Sequence, residues 1–244
     1  SMPGRGAIVT GTLRTGRLAA GDTIEMAPSG RRAVVRELQV HGTRVDAAHA
    51  GQRVGVNLRG LPAQALQRGE VLTVPGAARA GTLLDCELRA LPQAALTHGA
   101  TVRLHVGTAQ CLARLRLLDG IAVPVDTPGY GQLACDRVLC AAPGEPFIVR
   151  RLDGRETLGG GRLLGVAPQR RRRSAAMASA LAAAASDAIE HRVLARVRQA
   201  GCRGVALDTL AIDCGAPPER VVVALGTRSV VTATRNVVAR EVVD

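Results

Sequence analysis

The chain has 244 residues, of which 47% are hydrophobic and 21% charged. It is therefore long enough for two or three domains with buried cores and too apolar for a disordered polyampholyte. No apolar run reaches the roughly 18 residues that a membrane-spanning helix needs, and the chain does not start with a secretory signal. We expect a cytoplasmic protein that has no membrane partner.

The formal net charge is +12, and all 32 basic residues are arginine. A GC-rich genome explains part of this bias, but such an excess of positive charge favours a polyanionic partner such as nucleic acid. Phe147 and Tyr130 are the sole aromatic residues. Contacts to RNA are therefore expected to involve phosphates and arginine rather than stacked bases.

The cysteines do not predict a metal site. None of the six belongs to a CxxC pair, and no Cys/His spacing fits a zinc module. Their apolar surroundings favour buried, reduced thiols. They lie at positions 86, 111, 135, 140, 202 and 214.

Short strand-like runs separated by turn signals occupy the region from Ala7 to about Val74. The runs Ala7–Leu13, Thr23–Ala27, Arg32–Val40 and Arg53–Leu58 have no helical period. Closure of such a sheet removes its exposed edges. The sequence therefore predicts a small closed barrel over residues 1–77.

A turn-rich segment, Pro75–Gly81, precedes a second β block that predicts another barrel over residues 78–168. In it, Thr101–Leu118 reads as one long strand that bends at Gly107. The glycines of the triplet 159–161 indicate a close approach between backbones. Asp85 and Glu87 share one strand face, which we expect to be an exposed polar face.

Helical patterns begin after Arg170–Arg173. Ser174–Gln199 predicts one helix that ends at Gly201, Asp208–Asp213 a short second helix, and Pro217–Gly226 a third. Two strand-like runs follow, Val230–Ala233 and Asn236–Val243. This order of elements predicts a winged helix over residues 174–244.

No catalytic motif is present. The sequence contains no GxSxG and no HExxH, and without any lysine it contains no GxxxxGK(S/T) phosphate loop. We therefore expect no catalytic residue, no metal and no cofactor in this chain, and no enzymatic activity of its own.

Ordered motifs in the first block resemble the second domain of elongation factor Tu-type GTPases. They are GRGAIVTGTL from Gly4, RELQVH from Arg36 and AGQRVGVNL from Ala50. Gln39 and His41 together with the GQR motif at 51–53 resemble the selenocysteine-specific branch, the SelB family.

Motifs of the second block resemble the third domain of the same branch. They are HVGTA from His105, ARL from Ala113, PFIVR from Pro146 and TLGGG from Thr157. The resemblance implies a mainly β fold, with two tandem elongation factor Tu-like β-barrels followed by a C-terminal α+β winged-helix domain.

The SelB resemblance also implies a function. The parent protein would be a GTPase that binds GTP and Mg, delivers selenocysteyl-tRNA to the ribosome, and reads an mRNA hairpin through further winged helices downstream. Its GTP-binding domain is expected upstream of Gly4.

In this family the second domain helps to form the pocket for the aminoacyl end, and its basic residue corresponds to Arg53, with His41 as a neighbour. A fixed guanidinium favours a selenolate over a serine hydroxyl. Other members of the pocket would lie upstream of Pro3. The alternatives are that Arg53 pairs with a surface carboxylate such as Asp46, and that His41 is a structural strand histidine.

The resemblance and the charge of the second barrel give further candidates for contact with tRNA. For His105 and Thr108 the alternative is a turn-stabilising role, and for the four arginines it is a solvated strand face. The run Arg170–Arg173 is either a junction near RNA or a soluble linker. The candidates are His105, Thr108, Arg114, Arg116, Arg150 and Arg151.

Two other functions compete with this interpretation. One is another translational GTPase, of the initiation or elongation type, that has the same barrels. The other is a winged-helix nucleic-acid-binding regulator, which predicts base-reading side chains on the helix after Pro217.

Overall fold

The computed structural model describes residues 7–226, 229–231 and 236–239. The chain divides into two compact units, Ser1–Ala78 and Arg79–Asp244. The three domain boundaries predicted from the sequence, 1–77, 78–168 and 174–244, stay predictions.

The first unit is built from short strands, and Thr23–Ala27 lies where the sequence predicts it. Ladder pairing follows the order β1-β7-β4-β3-β8, with β5 beside β4, while β2 pairs with β6. The alternating apolar residues bury one face of this sheet around Met26, Leu38 and Leu58. The strands are β1 (Ala7–Thr12), β2 (Arg17–Ala19), β3 (Thr23–Ala27), β4 (Arg31–Val40), β5 (Thr43–Val45), β6 (Ala47–His49), β7 (Arg53–Arg59) and β8 (Val71–Thr73).

Both sheets were predicted to close into barrels. Only in the second unit do the described strands pair with each other in a closed ring. Among the described residues of the first unit, β1 and β8 end the ladder path without pairing to each other. The second unit forms a closed ring in the order β10-β11-β12-β9-β14-β13. Its strands are β9 (Ala80–Ala90), β10 (Thr101–Val106), β11 (Ala109–Leu117), β12 (Gly129–Cys140), β13 (Pro146–Arg150) and β14 (Thr157–Val166).

The prediction of one long bent strand over Thr101–Leu118 is wrong. The segment is a hairpin of β10 and β11, in which Val106 pairs with Ala109 across a two-residue turn. Gly107, at a φ of 54°, begins that turn. A glycine with positive φ favours a tight turn because it has no Cβ to clash with the backbone.

The glycine triplet of β14 lies where backbones approach closely, as predicted. A Cβ on Gly159 would lie 2.2 Å from the carbonyl oxygen of Arg89, and one on Gly161 would lie 2.0 Å from that of Glu87. These distances exclude any side chain, so β14 needs glycine to pack against β9 in the ring.

Asp85 and Glu87 do not form an exposed polar face. Asp85 is 1% exposed, and the segment after β14 covers it. Its carboxylate accepts hydrogen bonds from Nη2 of Arg171 at 2.6 Å and from Nε2 of Gln132 at 2.9 Å. The sequence hides this pairing because the partners lie far apart along the chain and meet only in the folded barrel.

The predicted helix Ser174–Gln199 is two helices, α1 (Ala175–Ala184) and α2 (Ile189–Ala200). The guanidinium of Arg162 on β14 donates to the carbonyl of Ala185 at 2.5 Å and to the carboxylate of Asp187 at 2.7 Å. These bonds hold the chain in a turn between the helices, so tertiary contacts override the helix propensity of an Ala-rich run.

The two helices pack against different partners. Leu181 of α1 packs on Leu118 and Leu164, on the outside of the barrel. Val193 and Val197 of α2 belong to a separate core shared with the helices that follow. Because each helix buries a different face, a single straight helix could not satisfy both cores.

The remaining elements follow the order of a winged helix, as predicted. A two-residue strand precedes α3, α4 begins at Pro218 and ends before Gly226, and the last strands form a three-stranded sheet in the order β15-β17-β16. The predicted strand ends 232–233 and 240–243 lie outside the described residues. The elements are β15 (Val205–Ala206), α3 (Leu207–Cys214), α4 (Pro218–Leu225), β16 (Ser229–Val231) and β17 (Asn236–Ala239).

The cysteines are free thiols, and Cys86, Cys111, Cys135 and Cys214 are buried as predicted. Cys202 is exposed, which corrects the prediction for that residue. It lies in the three-residue turn Gly201–Arg203 after α2, none of whose residues is buried, and Cys140 is half-buried. None of the described helices is long and apolar enough to cross a membrane.

Candidate functional site

The first candidate surface is the outward face of the first sheet. In β7 the residues Val54, Val56 and Leu58 point into the core, so the residues between them point outward. Two outward rows cross the strands β1, β7 and β4, and a third joins β1 and β7 only. The rows are Thr12 with Arg53, Thr10 with Gly55 and Gln39, and Ile8 with Asn57 and Glu37.

His41 lies beside this face because of a tight turn. Val40 pairs with Thr43, which leaves His41 and Gly42 as a two-residue loop with φ angles of 51° and 80°. Positive φ at both central residues matches the twist of an antiparallel hairpin, and histidine tolerates it better than bulky residues do. The loop comes directly after Val40, which pairs with Val54, the residue next to Arg53. His41 is therefore a turn residue, and not the structural strand histidine that the sequence left open.

Together these residues line a shallow hollow of about 350 Å³. The structure thus brings together Arg53 and His41, the two residues selected from the sequence for the aminoacyl end. The lining residues are Thr10, Gln39, His41, Gly42, Arg53 and Gly55.

The charge of Arg53 is not neutralised within the described part of the chain. None of the described carboxylates forms a salt bridge with it, including the predicted alternative partner Asp46. The nearest outward carboxylate, Glu37, instead accepts a hydrogen bond from Gln39 at 3.0 Å and lies 3.8 Å from Arg44. An exposed guanidinium without an internal partner can bind an anion.

The second candidate surface is the outward face of β13, β10 and β11 in the second unit. Arg103 pairs with Arg150 across the β10–β13 ladder, and His105 pairs with Ile148 one step further along. Like charges directly opposite each other on a sheet are destabilising. An anion between the two strands would reduce this repulsion.

Three nitrogen atoms on this face are buried without a hydrogen-bond partner among the described residues: Nε2 of His105, Nε of Arg150 and Nη1 of Arg116. Burial, followed by the charges of Arg150 and Arg103, lowers the pKa of His105 below its usual value. A neutral imidazole can still donate one hydrogen bond, in the tautomer that carries the proton on Nε2.

Sequence reasoning missed Arg103. Its guanidinium donates to the carbonyl of Leu152 at 3.3 Å from Nε and 2.8 Å from Nη2, which ties β10 to the loop after β13. The alternation of β10 places Arg103 on the same face as His105, and this signal could have identified it.

The other predicted residues have separate surroundings and contacts. Thr108 is exposed at the tip of the β10–β11 hairpin, and Arg114 donates to the carbonyl of Gly99 at 3.2 Å. Arg116 pairs with Gln132 near the covered part of the barrel, and Arg151 forms an ion pair with Glu156. Of the six predicted residues, His105 and Arg150 lie on neighbouring strands beside Arg103, and Arg114 and Arg116 lie further along the same outward face on β11.

The run Arg170–Arg173 contains contacts within the second unit. Arg171 binds Asp85, and Arg173 donates to the carbonyl of Leu117 at 2.9 Å and to that of Gly120 at 2.6 Å. These bonds fasten the segment that leads from the barrel to α1. Two of the four arginines therefore have a structural role in the segment between the barrel and α1.

Comparisons with known proteins agree with these motifs. Residues 6–73 match the model of elongation factor Tu domain 2, and residues 84–170 match that of the β-barrel domain of the selenocysteine-specific elongation factor. A selenocysteine-specific elongation factor of Desulfomicrobium baculatum is 36% identical over 214 residues, which are 87% of this chain and 34% of that protein. The chain belongs to the selenocysteine-specific elongation factor family.

Other elongation factors match only a part of the chain. The elongation factor 1-alpha of Pyrobaculum arsenaticum is 38% identical over 72 residues, 30% of this chain and 16% of that protein. Elongation factor Tu 2 of Streptomyces avermitilis is 34% identical over 77 residues, 32% of this chain and 20% of that protein. These matches cover about a third of the chain, whereas the match to the selenocysteine-specific factor covers 87% of it.

Solved structures of the family share the fold. A bacterial selenocysteine-specific elongation factor, EF-Sec, superposes with a TM-score of 0.77 at 19% identity, covering 98% of this chain and 38% of that one. The apo form of SelB from Methanococcus maripaludis gives 0.59 at 21% identity, over 73% and 42%. The chain spans about a third of the length of the curated family member that it matches.

Proposed function

We propose that this chain is the tRNA-binding part of a selenocysteine-specific elongation factor that delivers selenocysteyl-tRNA to the ribosome in a GTP-dependent manner. The two candidate surfaces have separate roles. The face formed by Arg103, His105 and Arg150 binds phosphates of the tRNA body, and the hollow beside Arg53 and His41 receives the aminoacyl end.

The observation that carries this proposal is the pair of arginines on the second face, where Arg103 stands opposite Arg150 on the neighbouring strand. Like charges in this position repel each other. A phosphate between the two strands would reduce this repulsion and accept charge-assisted hydrogen bonds from the outer guanidinium nitrogens.

The hollow of the first unit supports the second role. Arg53 is exposed and has no internal ion pair among the described residues, so its charge is available to a ligand. A selenol is more acidic than a thiol or an alcohol, and it is therefore an anion at neutral pH, which a serine hydroxyl is not. A guanidinium beside the side chain thus favours selenocysteine over serine.

GTP and Mg are proposed as cofactors of the whole protein and not of this part of it. Without lysine the sequence has no phosphate-loop motif, so its residues do not fit a GTP and Mg site of that kind. The ribosome and an mRNA hairpin are further proposed partners of the whole protein, in the cytoplasm, with the hairpin bound by winged helices downstream.

A nucleic-acid-reading winged helix is less well supported. The exposed residues of α4 include Val222 and Val223, at 50% and 81% exposure, with Arg220 as its one basic residue. Such an apolar surface offers few hydrogen-bond donors to base edges.

The test is a binding titration with one tRNA body in selenocysteyl, seryl and deacylated forms at several salt concentrations. Arg150→Ala should weaken binding of all three and reduce the salt slope by about 0.7–0.9, the value for one lost phosphate contact. Arg53→Ala should weaken only the selenocysteyl form. Arg89→Ala, an exposed arginine of β9, is the matched control. Binding that Arg150→Ala leaves unchanged would rule out the second face as the tRNA site.

A further inference from the structure

The arginine run Arg170–Arg173 leads from β14 to α1, and contacts with the barrel fix its position. Arg171 binds the buried carboxylate of Asp85, and Arg173 donates to two backbone carbonyls at the end of β11 and just beyond it. The backbone N–H of Arg171 also donates to the side chain of Gln132 on β12 at 2.9 Å. Alternate members of the run are thus turned toward the barrel and hold the segment in place.

The other two members, Arg170 and Arg172, are exposed. None of the described residues forms a hydrogen bond or an ion pair with either guanidinium, and Arg171 is the one member of the run that a described carboxylate neutralises. Consecutive like charges repel each other. The contacts that fix the run do not use the side chains of Arg170 and Arg172, so the fold does not require arginine at these two positions.

Arg116 adds a further positive charge beside the run. It is half-buried on β11, opposite the Gln132 that the run contacts. Within the described ranges no carboxylate forms a salt bridge with Arg116, and the exposed Asp119 accepts a hydrogen bond from the N–H of the next residue in its own loop at 2.9 Å. A charge that is partly withdrawn from water is screened less, so this edge of the barrel has a positive potential.

This basic edge is continuous with the second candidate surface. Arg114 is the outward residue of β11 next to Arg116, and it pairs with Thr101, two residues before Arg103 on β10. Arg103 in turn pairs with Arg150 on β13. Outward arginines therefore occur on each strand from β13 to β11, and the arginine run lies at the end of this series.

The phosphate backbone of RNA is the partner whose chemistry fits this edge. A guanidinium donates two parallel hydrogen bonds to a phosphate and keeps its charge at any physiological pH. The described part of the chain offers no exposed aromatic ring on which a base could stack, because Phe147 is buried and Tyr130 is half-buried beside Glu87. Contacts of this kind bind RNA without reading its bases.

We propose that Arg170 and Arg172 bind phosphates of the tRNA body, as an extension of the second candidate surface. This inference rests on the proposed function. Arg171 and Arg173 are positioning residues that hold the run against the barrel. Because the run is already fixed, binding costs less conformational entropy than it would for a free linker.

The test compares two double variants of the full chain that lose the same charge, Arg170→Gln with Arg172→Gln, and Arg89→Gln with Arg203→Gln. Arg89 and Arg203 are exposed arginines of the second unit away from the run. A third variant, Arg170→Lys with Arg172→Lys, keeps the charge of the run. The probes are one deacylated tRNA, a short RNA hairpin and poly-glutamate, and thermal unfolding checks that each variant folds like the unmodified chain.

The glutamine variant of the run should bind tRNA more weakly and reduce the salt slope by about 1.4–1.8, twice the value for one phosphate contact. The advantage of the unmodified chain over this variant should therefore shrink by a factor of about 7–12 between roughly 50 and 200 mM salt. The lysine variant should keep most of the slope, because it keeps the charge. The variant of Arg89 and Arg203 should have the slope of the unmodified chain.

Equal loss of tRNA binding in the two glutamine variants would overturn the inference, because it would show a general effect of net charge. A loss confined to the hairpin or to poly-glutamate would also overturn it, since the run would then serve another partner. If Arg150→Ala weakens tRNA binding and the glutamine variant of the run does not, the proposed function stands and only the role of Arg170 and Arg172 fails. If neither changes tRNA binding, the proposed tRNA site fails as well.

Discussion

Replacing Arg171 by alanine should destabilise the second unit severely. Asp85 is 1% exposed, and its carboxylate accepts bonds from Arg171 at 3.0 Å to Oδ1, and at 3.0 and 2.6 Å to Oδ2. Without the guanidinium, Gln132 alone would face a buried charge. Breaking a buried ion pair from one side costs about 3–5 kcal/mol, because the remaining charge is uncompensated.

The chain provides its own probe for this measurement. Tyr130 is the single tyrosine in a chain without tryptophan, and it packs beside α1 in the second unit. Urea unfolding followed by tyrosine fluorescence therefore reports on that unit. Arg171→Ala should lower its free energy of unfolding by the amount given above, and adding Asp85→Asn should recover part of the loss because the buried charge is gone.

The control is Arg172→Ala, which removes an exposed neighbouring arginine. A surface change of this kind should stay within about 0.5 kcal/mol of the unmodified chain. If Arg171→Ala proves no more destabilising than Arg172→Ala, the ion pair does not hold the junction segment to the barrel.

Two further predictions concern the barrel and its junction. Gly161→Ala should prevent folding of the barrel or destabilise it by more than about 3 kcal/mol, because its Cβ would lie 2.0 Å from a carbonyl oxygen of β9. If urea unfolding gave this variant the same free energy of unfolding as the unmodified chain, the close approach of β14 to β9 would be refuted. The hydrogen bond and charge of Arg162 lower the pKa of Asp187 below 3.8, so the stability from this pair is present above that pH and lost as pH falls through the lower folded value. Asp187→Asn should therefore be less stable than the unmodified chain at neutral pH and equally stable in strong acid, and thermal unfolding across that range would show whether the difference persists.

The sequence predicts those elements whose signals are local. Thr23–Ala27 alternates and ends in a turn, and α4 has proline at its start and glycine at its end, so both were predicted to within a residue or two. The break between α1 and α2 was not predictable in this way, because the Ala-rich run favours helix throughout. The contact of Arg162 with Ala185 ends the helix, and no local sequence signal predicts a contact between residues so far apart in the chain.

Some residues of the candidate sites could likewise be identified from the sequence, and others could not. Arg53 and His41 were found by resemblance, and the structure adds the turn that brings them together. Asp85 was assigned to an exposed face because alternation alone does not reveal which face a later segment will cover. Arg103 was missed although it alternates with His105 along β10, which places the two residues on one face.

The helix α1 divides the outer wall of the six-stranded ring into a covered half and an open half. It lies over β12 and β9, so a ligand can approach the wall at β13, β10 and β11. Neighbouring strands are about 4.8 Å apart, which makes the open half about 10 Å wide from its first strand to its last. The two opposed arginines of the proposed phosphate site, Arg103 and Arg150, both lie on this open half.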